Sequence, residues 1–439
     1  MSISAILAAS LQAETANVNE DLLTISMEEI EDSMSLACEA EAEMVSMESA
    51  LEIGEAAYVG LEALADVVAA SQAEGGLDTK SAELLAIATS SVMAPFGGMP
   101  ENAMPAMEDF EVDGGRAVAT GYAMEEINKT LKNLWQGLMN MIKTAYANTA
   151  KWMEQNFSAL GRMNKGAEAL VKKAGEAKGQ PEEKTVEPAK VQYLMSGGKV
   201  ASNIASDMNA MAGQVKKLAF SQNAIKAAGA AVDALTKAAE GVEKMSAADV
   251  KAAVTAAISE YTSAITSAFE MKTGISDGRL GKVEGDVSGV ETAIGDGLAV
   301  LKAQGGMSVP VLEFFNPSEP AKNKIAVDAL TASEIAKVAE GAKNLTAVIL
   351  SVKDNARRAD KINTNVEKAG KALMKLAKDD LEGEKKKAMK AAMKGLAAIE
   401  KNQRVFDRDL VKHASMVAQA AMSYAVQSMK NLKEKKEDK

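Results

Sequence analysis

Two side chains of the 439-residue sequence stand alone in kind, Cys38 and His413. A single thiol can form neither a disulfide within the chain nor a cysteine-based zinc site. The neighbours Glu39, Glu41 and Glu43 raise a thiol's pKa and blunt its nucleophilicity, so Cys38 is read as a small packing residue. A single imidazole supports neither a multi-histidine metal site nor Ser-His-Asp chemistry. His413 falls on an apolar helical stripe and is read as packed. Carboxylates are abundant, yet no pair is set apart as acid and base. Gly281, Gly285 and Gly289 do not belong to a Gly-x-x-x-x-Gly-Lys-Ser/Thr loop. The sequence therefore reads as a non-enzyme, with no catalytic residue, no metal ligand and no cofactor.

Basic clusters are the stronger chemical signal. They are Lys172-Lys173, Lys216-Lys217, Arg357-Arg358, Lys385-Lys386-Lys387 and the tail lysines 430, 433, 435 and 436. No aromatic residues interleave them, and no motif for reading bases accompanies them. Such clusters can hold nucleic acid only through phosphates, in a salt-dependent and sequence-independent way. Lys172, Lys173, Arg357, Arg358, Lys385, Lys386 and Lys387 are the candidate DNA-phosphate contacts. The competing reading is a solvated helix face laced with i,i+4 ion pairs.

These clusters belong to a chain divided by charge. Residues 1–115 hold 23 acids and one base, Lys80, for a charge of −22. From Arg116 onward there are 38 acids and 49 bases, for +11. The division lies at Met99 to Gly115, MPENAMPAMEDFEVDGG. Proline bars helix continuation and glycine permits turns, so this stretch reads as an extended, protease-accessible loop.

The elements around it read as helices. All eight prolines fall in 95–105, 181–188 and 310–320, and helix formers fill the rest. The expected fold is all-α and elongated, with several long amphipathic helices and a helical-hairpin or coiled-coil C-terminal part. Residues 1–108 form an acidic helical leader, a possible propeptide. Within it, Gly75-Gly76 stops one helix and Asp78 caps the next. Residues 109–175 form an amphipathic helix with a stripe at Ile127, Leu131, Leu134, Leu138, Met141 and Ala145. Residues 176–190 are a polar linker. Residues 191–306 are an Ala/Gly-rich helical region with a capping box variant at Ser246. There Leu280, Val283, Val287, Val290, Ile294, Leu298 and Leu301 keep a 3-4 rhythm. Residues 307–320 are an extended connector.

Residues 321–439 hold long basic helices, opened by a capping box at Thr331 and Glu334. One heptad seam runs from Leu345 to Leu376. A second runs through Leu396, Ile399, Gln403, Phe406, Leu410, His413, Val417, Ala420 and Tyr424. Pairing these seams, in a hairpin or between chains, would bury both. No run approaches the roughly 18–20 apolar residues of a spanning helix, and no secretory signal is visible.

The runs AEGGLDTKSAELLAIATSSV, MPAMEDF and RAVATGYAMEEINKTLKNLWQGLMNMIKTAY, with the N-terminal MSISAILAASL, resemble internal head proteins of large tailed bacteriophages over about residues 1–175. The resemblance implies a structural inner-core protein of the procapsid, located in the capsid interior of the virion and in the host cytoplasm during assembly. It implies capsid or prohead core partners and trimming by a prohead protease after a short motif ending in Glu, with the mature part left beside packaged DNA. In the loop that motif is Ala106-Met107-Glu108, followed by Asp109, and these four residues are the candidate processing site. Ser26-Met27-Glu28, Ser46-Met47-Glu48 and Ala123-Met124-Glu125 share the pattern but lie in expected helices. Two rival readings are a helical membrane-active protein of the pore-forming or translocator kind and a coiled-coil adaptor.

Overall fold

Small apolar residues at helical spacing generate most of the architecture. The computed structural model describes residues 27–98, 105–111, 115–177, 180–275, 277–280, 287–302, 307–317, 325–353 and 383–433. This part of the chain is mostly α-helical. It divides into two units, residues 38–152 and residues 1–37 with 153–439. Among the described residues, no helix is long and apolar enough to cross a membrane.

The smaller unit is built on α1 (Met27–Ala73) from Cys38 onward, α2 (Thr79–Met93) and the first part of α3 (Gly115–Glu176). Gly75 and Gly76 end α1 with φ of +99° and +100°, a left-handed conformation that only glycine adopts freely. Asp78 then caps α2 by accepting from Ser81 N at 2.7 Å. The Leu77 amide donates to the buried Thr120 hydroxyl of α3 at 2.8 Å. Ala65 and Val68 of α1, Ala82 and Leu85 of α2, and Ala119, Ala123 and Ile127 of α3 enclose Phe110. Further along, Ala57 and Leu61 meet Met93 and Leu134, and Tyr58 lies against Trp135 at 5.5 Å between centroids. A Cβ on Gly54 would stand 2.6 Å from Leu138 Cδ2, so the helices approach closely there. The contact order, 54 with 138 and 76 with 116, makes α1 and α3 antiparallel. The expected α3 stripe is thus present, and the acidic leader covers it.

The larger unit is arranged around one helix, α8 (Gly383–Lys430), which is buried on nearly every side from Ala388 to Ser428. Against it pack α4 (Ile204–Leu218), α5 (Gln222–Glu240), α6 (Ala247–Ala268) and α7 (Ala332–Ser351). Both expected caps are present. Ser246 accepts from Asp249 N at the start of α6, and Thr331 forms a full capping box with Glu334 at the start of α7. The second seam is therefore enclosed by several elements of its own unit. Of the first seam, Leu345 and Val352 are buried, and the positions from Asn355 onward lie outside the described residues.

The Gly-rich segment corrects the helical expectation. Four strands form an antiparallel sheet in the order β5 (Lys272–Thr273), β6 (Val287–Glu291), β7 (Leu298–Lys302) and β8 (Val311–Phe315). Gly289 pairs with Val300, and Val300 with Glu313. The 3-4 rhythm misled because β7 is buried on both faces, with Leu298, Ala299, Val300 and Leu301 all within, so no alternation is visible. The connector read over 307–320 contributes β8, and the linker read over 176–190 contributes two-residue strands. Of these, β1 (Gln180–Pro181) pairs with β10 (Leu432–Lys433), and β2 (Thr185–Val186) pairs with β9 (Val327–Asp328), while β3 (Met195–Ser196) and β4 (Lys199–Val200) make a short hairpin after them.

Candidate functional site

The candidate processing segment is short and lies between α2 and α3. Ala106 is exposed and extended, with φ −62° and ψ 145°. Met107–Phe110 then make a single 3₁₀ turn, closed by Asp109 N to Ala106 O at 3.0 Å and Glu111 N to Glu108 O at 3.2 Å. Glu108 and Asp109 are exposed, whereas Phe110 is fully buried. Arg116 Nε donates to Phe110 O at 2.9 Å and holds the turn against the start of α3. The segment is thus a solvent-facing turn anchored on one side, not a fully extended loop. Residues 99–104 and 112–114 lie outside the described residues. The competing patterns at 46–48 and 123–125 lie inside α1 and α3, with Ala123 buried. At 26–28, Ser26 lies outside the described residues and Met27 opens α1.

Among the described residues, the clusters at 172–173, 216–217 and 385–387 lie near helix ends. Lys172 and Lys173 are exposed near the C-terminus of α3, and Lys216 and Lys217 close α4, with Lys217 paired to Glu270. The negative end of a helix dipole favours cations, so both positions have a structural reason. Lys385, Lys386 and Lys387 differ, because they stand in the first turn of α8 at the positive end of its dipole. There Glu384 meets Lys387 at 3.1 Å and Lys251 at 3.3 Å. These bonds hold its carboxyl below the usual carboxylate range. Among the described residues at that turn, one carboxylate stands with four lysines. Arg357 and Arg358 lie outside the described residues.

The polar heart of α8 was not foreseen. Glu400 accepts from Arg404 Nε at 2.9 Å, and Arg408 donates to Asp409 at 2.5 Å. Asp407 accepts from Gln403 Nε2 at 2.6 Å and from the Phe220 amide at 2.7 Å. Burial pushes the Asp407 carboxyl up to about 7, against those two donors. Asn402 joins helix to sheet, donating to Pro310 O at 2.7 Å and accepting from Leu312 N at 2.9 Å. Eleven residues on, three helical turns along the same face, His413 makes a second joint. Its Nε2 lies 3.0 Å from Ile294 O and 3.2 Å from Thr292 Oγ1. Its ring stands between Tyr193 and Phe314 at 5.5 and 5.7 Å. A Cβ on Gly297 would come within 2.8 Å of it. Burial holds this imidazole down to about 4, so it is neutral at physiological pH. The i,i+4 pairs Glu400/Arg404 and Gln403/Asp407 were the available signal, because side-chain partners along one helix let its polar groups leave water together.

The profile of the phiKZ-like phage internal head proteins matches residues 15–426. The chain belongs to this family. Membership makes it a structural head protein inside the phage capsid, in association with capsid or prohead components. It also extends the likeness seen over residues 1–175 through the basic body of this internal head protein. Neither a characterised protein nor a solved structure matches the chain.

Proposed function

We propose that this internal head protein is assembled with its acidic leader attached and is cut after Glu108 by a prohead protease. Water adds across the Glu108–Asp109 peptide bond, leaving a carboxylate on Glu108 and an ammonium on Asp109. The cut removes 20 acids and one base. The product, 109–439, carries 49 bases and 41 acids, or +8. While attached, the leader offsets the body's charge and weakens its attraction to nucleic acid. Once it is gone, the body associates with packaged DNA through phosphates, without sequence preference.

The observation that carries this reading is the position of an exposed small-x-Glu turn at the boundary between charges of −22 and +11. Opening one 3₁₀ turn breaks two backbone bonds, whereas seating a site inside α1 or α3 requires melting a long packed helix. The lysines in the first turn of α8 support the phosphate contacts, since a helix N-terminus and a cation both favour an anion.

Mass spectrometry of mature particles tests the cut. The expected N-terminal residue is Asp109, and intact peptides spanning 100–115 would overturn it. DNA retention of 1–439 and of 109–439, compared at low and high salt, tests the second step. The product should bind more tightly and lose that binding with salt. Equal, salt-insensitive retention would overturn the electrostatic reading.

A further inference from the structure

We infer that the leader also masks a self-association stripe on α3, and that removing it lets residues 119–145 pair, antiparallel, with the same stripe of a second copy. This inference rests on the cleavage proposed above.

The leader does more than carry charge. Gly54, Ala57, Tyr58, Leu61, Ala65 and Val68 of α1 lie along α3 from Leu138 back to Ala123. Under that cover, Ile127 is 0 % exposed, Leu134 7 %, Trp135 4 % and Leu138 3 %. Of the residues in this core, only those up to Glu108 leave with the leader. Phe110 and the whole α3 stripe stay behind, stripped of the α1 and α2 residues that packed on them. A helix with so long an apolar face in water requires a new partner.

Three features select a second copy as that partner. The α3 stripe follows spacings of four and three, the pattern that seats helix on helix. The partner it already accepts, α1, is an antiparallel helix with the same kind of spacing, so its grooves fit that geometry. Charge then decides. Residues 38–152 hold 18 acids and six bases, and two such units repel each other. Residues 109–152 hold five acids and five bases, arranged by end. The acids are Asp109, Glu111, Asp113, Glu125 and Glu126, with Arg116 among them, whereas the other four bases, Lys129, Lys132, Lys143 and Lys151, lie beyond them. An antiparallel pair sets the acidic end of each helix beside the basic end of the other, and a parallel pair sets like beside like. Cleavage thus removes both the cover and the repulsion.

The test uses the full chain with a recognition sequence for a site-specific protease inserted between Glu108 and Asp109. The chain is cut after folding, and subunit number is read by size-exclusion chromatography with light scattering. On cutting, fragment 1–108 should separate and the subunit number of the remainder should double. The pair Leu134→Glu and Leu138→Glu should abolish the doubling, with helix content retained by circular dichroism. The pair Lys143→Glu and Lys151→Glu, which leaves the stripe intact, should raise the dissociation constant at low salt by at least tenfold. A leader that stays bound after cutting, an unchanged subunit number, or doubling that survives both variants would overturn the inference. Because the cut is engineered, these outcomes are independent of whether the native chain is processed in particles.

Discussion

Asp407 and His413 lie six residues apart on α8, and burial shifts their titrations in opposite directions. Asp407 is raised from the ordinary carboxylate range to about 7. Its folded form keeps a proton that the unfolded chain releases, so its contribution to stability is full in acid and is lost as pH rises towards 7. His413 is lowered from 6.5 to about 4. The unfolded chain takes up its proton first, so its contribution is full above 6.5 and is lost as pH falls towards 4. Between about pH 4 and 6.5 the two slopes oppose each other. Asp407→Asn should therefore make stability fall more steeply with acid than in the parent protein. His413→Gln should make it fall less steeply or rise. Urea midpoints across this window measure both, and parallel profiles for all three proteins would refute the pairing. At the sheet joint, Asn402→Leu strands the Leu312 amide and the Pro310 carbonyl. It should cost about 2–4 kcal/mol, since a buried polar group left without its partner loses its full desolvation energy.

Local punctuation was legible at the level of elements, and buried surroundings were not. Asp78, Ser246 and Thr331 were readable as caps because an N-cap is a contact between a side chain and an amide three residues on. Thr331→Ala should cost about 1 kcal/mol, with amide exchange quickening in the first turn of α7 and not at its centre. Gly76 has a second constraint that the sequence did not reveal. Besides its left-handed φ, an added Cβ would meet the Arg116 carbonyl at 2.7 Å. Gly76→Ala should therefore cost roughly 1–3 kcal/mol and loosen the α1–α2 turn from α3, measured as faster exchange of the Leu77 amide. The sheet was missed because Leu298 to Leu301 face apolar neighbours on both sides. The surroundings of α8 were missed because a periodic stripe describes one face, whereas this helix is buried on nearly every side.

For the molecule as a whole, the division of charge and the helical class could be counted from the sequence, and the family could be read from the runs in residues 1–175. What could not be counted is that the leader and α3 share one core, because that depends on contacts such as Gly54 with Leu138 between segments far apart in the chain. In a native gel at pH 7 the intact chain, at −11, should migrate to the anode. The product should reverse direction only when the cut leader dissociates. A nicked chain that keeps migrating to the anode would show the shared core outlasting the broken bond.

The place of α8 along the chain also sets an order of events during translation. Residues 38–152 contact one another and can fold as they leave the ribosome. The helices α4 to α7 and the strand β8, which pack on α8, emerge before it, as do the strands β5 to β7 that pair with β8. Before residues 383–430 have been synthesised, α4 can pack on α7, α5 on α6 and the strands on one another, but the helix that joins these parts is missing. The acidic unit is therefore folded on a nascent chain whose basic remainder is still incomplete, and maturation of the larger unit is timed by the late arrival of its central helix.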